Sequence, residues 1–289
     1  MDFKAILAGL TFALIWSSAF TSARIIVQAA PPLTVSAIRF TLAGVIAVTL
    51  ARALGQTWSL TPQQWRLTVV FGICQNALYL GLNFVAMQTV EASLAAIIAS
   101  SLPLIVAALG WIVLGDRVRP LGLAGLIAGF AGVALIMGTR LTGGVDPVGV
   151  ALCCFGALAL ATATLALKGA SSGGNLIMVV GLQMLVGGAA LWVPALLFET
   201  WTVTWSPLLV GAFLYTVIMP GLVATVLWFW LVGRIGAVRA ATFHFLNPFF
   251  GVAIAAALLG EALRPLDVIG VAVIAFGILA VQLSRVPRA

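Results

Sequence analysis

His244 and Asn247 stand three residues apart, close enough on one helical face for the imidazole and the carboxamide to share a hydrogen bond. His244 is the only histidine in the chain. Such a pair either lines a polar site or satisfies a neighbouring helix. Asn76, Tyr79 and Asn83 follow at spacings of three and four, which gathers them on one face of an α-helix. Tyr79 supplies both a π-face and a hydroxyl. The stripe either lines a cavity or bonds across to another helix, with Gln75 off its face. Trp16 is an aromatic wall or core packing, and Ser17 with Thr162 permits close helix contact. Ser100 and Ser101 flank Pro103 and are placed to bond a kinked backbone or a ligand. These residue types suit reversible binding of a small polar or aromatic solute.

Covalent chemistry would require a base, a nucleophile or a metal cluster. The seven acids (Asp2, Glu91, Asp116, Asp146, Glu199, Glu261 and Asp267) fall in tails, loops or segment ends. Cys74, Cys153 and Cys154 sit in apolar runs without disulfide or metal spacing. The chain is therefore expected not to be an enzyme, with no catalytic residue, metal or cofactor. No filter motif or charged ring marks a channel.

The elements that position these residues are written in the composition. Hydrophobic residues make up 63% and charged residues 7%, far below the roughly 25% charge of soluble chains. The net charge of +7 in such a chain sets orientation in a membrane, so no nucleic acid partner is expected. Ten apolar segments reach the length of about 20 residues that a spanning helix requires. They lie at about 3–27, 33–53, 65–87, 92–114, 119–138, 147–167, 175–197, 207–232, 236–259 and 266–284. The fold class expected is all-α integral membrane. The basic start could imitate a signal peptide, but cleavage would remove one helix of a repeat, so retention is expected.

Cytoplasmic loops carry the excess of Lys and Arg. With the N-terminus inside, Lys4, Arg52, Arg66, Arg117, Arg119, Lys168, Arg234, Arg239, Arg285 and Arg288 face the cytoplasm. Only Arg24, Arg140 and Arg264 face the other side. Both termini are thus expected to be cytoplasmic. Arg39, two turns into the second segment, is expected to snorkel to the outer interface; attraction of substrate carboxylates is the alternative. Asp116 and Glu261 read as loop residues near basic neighbours.

The chain is written twice. Pro103 pairs with Pro248, Leu114-Gly115 with Leu259-Gly260, Asp116 with Glu261, and Arg119-Pro120 with Arg264-Pro265, at a constant offset of 145 residues. Two repeats, 1–144 and 145–289, of five helices each enter the membrane with opposite orientation. Inverted repeats are a recurring device of secondary transporters, with the site near the midplane between them. Pro103 and Pro248 fall mid-helix, where a proline lacks an N–H and crowds the carbonyl four residues earlier, that of Ala99 or His244. They are either static kinks or hinges, and Pro220 with Gly221, Tyr215 and Trp228 is a further lining or gate element. Gly125 and Gly129 have GxxxG spacing, which points to close packing or to a dimer contact. A monomer is expected, with a homodimer as the alternative.

At Leu14-Ile-Trp-Ser-Ser-Ala-Phe20, Ile38-Arg39-Phe40, Ala92-Ser93-Leu94, Leu102-Pro103, Leu114-Gly115-Asp116, Asn247-Pro248 and Leu259-Gly260-Glu261, the chain resembles the drug/metabolite transporter superfamily. It looks like an EamA-type ten-helix exporter, most similar to YddG-type exporters of amino acids, aromatic ones included. Asp116 departs from the Glu usual there. The resemblance covers both halves. It implies export of small metabolites, often amino acids, across the bacterial inner membrane. The expected cavity residues are His244, Asn247, Tyr79, Asn83, Asn76, Trp16 and Ser100, with Pro103, Pro248 and Pro220 as hinge or gate. The absence of an intramembrane carboxylate points to facilitated export with little selection by substrate charge. Export of other small metabolites or organic-cation drugs is the alternative.

Overall fold

The structure, a computed structural model, describes residues 3–115, 119–166, 174–236, 240, 242–262 and 264–284. Asp2, Asp116, Arg117, Lys168, Arg239, Arg285 and Arg288, all used in the charge reading above, lie outside the described residues, as does the side chain of Arg140.

The described chain is all helical. The elements are α1 (Phe3–Val27), α2 (Pro32–Ala53), α3 (Pro62–Ala86), α4 (Ala92–Ser100 continued by Leu102–Leu114), α5 (Pro120–Thr142), α6 (Pro147–Ala166), α7 (Leu176–Phe198), α8 (Pro207–Ile235), α9 (a 3₁₀ turn, Thr242–Leu246, leading into Asn247–Leu259) and α10 (Pro265–Leu283). Among the described residues seven helices are long and apolar enough to cross a membrane, and α5, α9 and α10 contribute shorter apolar helices. This is a multi-pass membrane protein.

The boundaries follow from local chemistry. Pro32, Pro62, Pro120, Pro147, Pro207 and Pro265 each stand first in their helix, where the missing N–H would have no partner anyway. Thr61 and Gln64 close a reciprocal capping box at the start of α3. Gly115 and Gly260 end α4 and α9 in left-handed conformation, with φ of 65° and 67°, a backbone that L side chains disfavour.

Packing repeats with the sequence. Three pairs of repeat mates lie against each other: α2 on α7, α5 on α10 and α4 on α9. The contact of α1 with α9 has its counterpart in α6 with α4, and that of α1 with α8 in α6 with α3. Between α5 and α10 the backbones touch: a Cβ on Gly125 would meet the Gly277 carbonyl at 2.6 Å, and one on Gly277 would meet the Gly129 nitrogen at 2.7 Å. Close packing within the chain thus accounts for the GxxxG spacing.

Two features correct the regular helices expected from sequence. α3 and α8 contain π-helical stretches, Gly72–Leu80 and Val217–Val223, whose starting residues are again 145 apart. Pro103 and Pro248 do not bend continuous helices at their midpoints. Each stands second in a fresh helical segment, Leu102–Leu114 or Asn247–Leu259, where a proline is tolerated. At the first break the Ser100 hydroxyl donates to the Ile97 carbonyl at 2.5 Å and that of Ser101 to Ile98 at 2.7 Å. Ser100 therefore serves the broken backbone.

Candidate functional site

A cavity opens between α1, α2, α3 and α8. In this conformation it is narrow: the centre of a water-sized sphere finds about 20 Å³ there. α1 contributes Trp16, Ala19, Phe20 and Ala23, successive residues of one face. α3 contributes Tyr79, Leu80, Asn83 and Phe84, with Met87 just past its end, and α2 contributes Arg39 and Phe40. Pro220, Gly221 and Thr225 close the α8 side. The rings of Trp16 and Tyr79 lie parallel, with centroids 6.3 Å apart. Asn83 Nδ2 donates to the Tyr79 carbonyl at 2.8 Å, while the Tyr79 hydroxyl is buried without a partner. The walls are thus aromatic, with a few polar groups. A wider basin lined by residues 27–32, Gln88 and residues 198–200 and 202–204 lies at the Val27 end of α1.

One turn before Trp16 on α1, toward the start of the chain, an aromatic cluster fills the interior. Phe12 stacks on Trp228 at 5.3 Å, and the His244 ring stands edge-on to Phe12, Trp16 and Trp228 at 5.1, 5.6 and 5.1 Å. The Ser17 hydroxyl donates to Asn247 Oδ1 at 3.2 Å, and Asn247 Nδ2 lies 3.0 Å from His244 Nδ1. The carboxamide and the imidazole thus share a hydrogen bond whose donor and acceptor depend on the tautomer. His244 is enclosed among rings, an arrangement suited to shaping the site. Beside the cluster the Phe243 ring sits on Gly9, where a Cβ would meet it at 2.1 Å.

Of the residues expected to line a cavity, Trp16, Tyr79, Asn83 and Pro220 do so. His244 and Asn247, expected there as well, are not among its lining residues: they belong to the aromatic cluster packed against Trp16. Asn76 turns away: its Nδ2 donates to the carbonyl of Gln183 on α7 at 3.0 Å and to the Gln183 side-chain oxygen at 2.6 Å. The cause is the π-helical stretch. Its wider turn takes more residues than an α-turn, so Asn76 and Tyr79 no longer share a face.

Arg39 is the second correction. It does not snorkel: only 3% of the residue is exposed, and its side chain lines the cavity. The guanidinium lies 4.1 Å from the centroid of Phe40 and 4.7 Å from that of Phe84. Tyr215 instead reaches Ser18, oxygen to oxygen at 2.6 Å, at a half-exposed position. Glu261 also departs from the simple loop reading, since it accepts the backbone N–H groups that begin α4.

Multiple apolar helices around an interior aromatic pocket define a membrane carrier architecture, and the comparisons agree. The EamA-like transporter family profile matches twice, over residues 3–138 and 147–283, so the chain belongs to the EamA-like transporter family. It is 27% identical to the uncharacterized inner membrane transporter YedA of Escherichia coli K12, over 99% of this chain and 94% of that protein. It is 26% identical to the uncharacterized transporter YvbV of Bacillus subtilis, over 81% and 76%. The aromatic amino acid exporter YddG of Ancylobacter novellus is 30% identical over 48% of each chain. A solved crystal structure superposes with a TM-score of 0.70 at 23% identity, over 99% of both chains.

Proposed function

We propose that this chain exports amino acids of a broad range, large apolar and aromatic ones included, across the bacterial inner membrane by alternating access. The observation that carries the reading is the cavity between α1, α2, α3 and α8, walled by Trp16, Tyr79, Phe40 and Phe84 with Asn83 among them. A flat apolar side chain suits such walls, and the few polar groups suit the ends of an amino acid. The half-length relationship to an aromatic amino acid exporter supports the substrate class.

In this reading the ten helices all span the membrane as two inverted repeats, 1–144 and 145–289, with both termini cytoplasmic. The mirrored pairing of mates and the doubled family match support it. Trp16, Tyr79 and Asn83 contact substrate. Phe12, Trp228 and the His244–Asn247 pair form the cytoplasmic floor that must part for substrate to enter. The breaks at Pro103 and Pro248 and the π-helical turn at Pro220 are the places where the backbone yields. In this reading transport is facilitated, supported by the lack of a carboxylate among the described residues that line the cavity.

Counterflow of labelled phenylalanine in proteoliposomes tests the reading. Saturable exchange at equal pH on both sides is expected. Strict dependence on a pH gradient would overturn facilitated export, and failure to exchange any amino acid would overturn the substrate class.

A further inference from the structure

Arg39 stands seven residues into α2, about 10 Å along its axis at 1.5 Å per residue. Its guanidinium packs against the rings of both Phe40 and Phe84, yet Nε and Nη2 are buried without any hydrogen-bond partner. Those two nitrogens share one edge of the guanidinium plane, and their N–H bonds run nearly parallel. That edge is the fork which grips a carboxylate through two hydrogen bonds at once. Among the described residues no Asp or Glu lines the cavity to occupy it. A buried cation with unpaired donors is costly, and a long apolar side chain would fill the same space without that cost.

We propose that Arg39 is the carboxylate dock of the transport cavity: substrates enter as carboxylates and seat that group on the Nε–Nη2 edge. The inference rests on the transporter reading above and narrows its substrate class. The rings of Phe40 and Phe84 fix the fork in place, so little ordering is left for the moment of binding. Trp16 and Tyr79 stand on the same cavity to receive the rest of the solute. Selection by charge follows, with organic cations that lack a carboxylate disfavoured by the Arg39 charge itself.

The test uses the full-length chain, wild type, Arg39→Lys and Arg39→Met, in proteoliposomes at equal pH. Three probes share a phenyl ring: phenylalanine carries both charged groups, phenethylamine only the ammonium, and 3-phenylpropionate only the carboxylate. Counterflow is paired with thermal-stability shifts of the detergent-solubilised protein, which report probe binding and show whether each variant folds. Wild type is expected to prefer at least one carboxylate probe over phenethylamine by about tenfold or more. The preference should collapse toward parity in Arg39→Met. It should also weaken in Arg39→Lys, which keeps the charge and loses the fork; this arm decides if Arg39→Met does not fold. A full preference in a folded Arg39→Met, or in Arg39→Lys where that arm decides, overturns the proposal. So does a wild type that takes neither carboxylate probe or favours phenethylamine. If 3-phenylpropionate moves in an Arg39-dependent way while phenylalanine does not, the dock stands and the amino acid reading falls. If phenylalanine moves regardless of Arg39, the reading stands and the dock falls.

Discussion

The Glu261 carboxylate accepts the backbone N–H of Ser93 at 2.9 Å and, through its other oxygen, that of Ala92 at the same distance. A side chain just past the end of α9 thereby caps the start of its repeat mate, α4. Glu199, just past α7, does the same for α2, accepting from Leu33 N at 2.8 Å and from the Thr34 N–H and hydroxyl at 2.6 and 2.7 Å. Carboxylates belong at helix N-termini, where unpaired N–H groups and the helix dipole favour them. Glu261→Ala should lower stability by about 1–2 kcal/mol, with Glu261→Gln intermediate. Thermal unfolding in detergent measures it, and equal midpoints for the three proteins would refute the cap.

Asn76 and Tyr79 should separate in function. Asn76→Ala removes the tie to Gln183 and is expected to cost about 1 kcal/mol of stability while leaving the ranking of substrates intact. Tyr79→Ala should instead alter the ranking, because it removes a wall of the cavity. Competition profiles over an amino acid panel distinguish the two outcomes.

The glycines give an opposed pair. Gly277→Ala places a methyl against the backbone of Gly125 and Gly129, and such overpacking costs about 1–3 kcal/mol or more. Gly211, in α8, faces open space, so Gly211→Ala should be neutral or stabilising by up to about 1 kcal/mol. Unfolding midpoints moving in the same direction would contradict the α5–α10 contact.

Asp146 precedes α6, outside the spanning helices. The Thr89 hydroxyl, 2.8 Å away, holds its carboxyl below the usual aspartate range, helped by the backbone N–H groups of Val148 and Gly149. A carboxylate with a lowered folded-state pKa contributes stability above its unfolded pKa and loses it as pH falls through the folded value. Wild type and Asp146→Asn should therefore differ in melting temperature at neutral pH and converge on acidification. Thr89→Val should move the convergence to higher pH. Parallel curves at all pH values would exclude the linkage.

Much of the fold was legible because membrane helices announce themselves by length and apolarity. Pro103 with Pro248, and Gly115 with Gly260, were legible as repeat mates, and the structure places each pair at matching points, the prolines opening fresh segments where kinks in continuous helices were expected. Trp16, Tyr79 and Asn83 were legible as cavity residues from their types and spacing. Asn76 was misplaced because spacing arguments assume 3.6 residues per turn, and nothing in Gly72–Leu80 signals a wider one. Arg39 was misread because an arginine near a helix end ordinarily reaches for water; only the surrounding rings of Phe40 and Phe84 reveal that it stays inside. The capping by Glu199 and Glu261 depends on which helices meet, which local sequence does not encode.

The paired π-helical stretches hold spare chain. Each stores more backbone per turn than the α-helix on either side of it, at equivalent points of the two halves. Rewinding Gly72–Leu80 to α geometry would rotate everything beyond it about the helix axis without breaking a covalent bond. Tyr79 lies on one of these stretches and Pro220 on the other, so both π-helical stretches border the cavity. Deleting one residue within Gly72–Leu80 would press that stretch toward α geometry and turn the face that Tyr79 shows to the cavity.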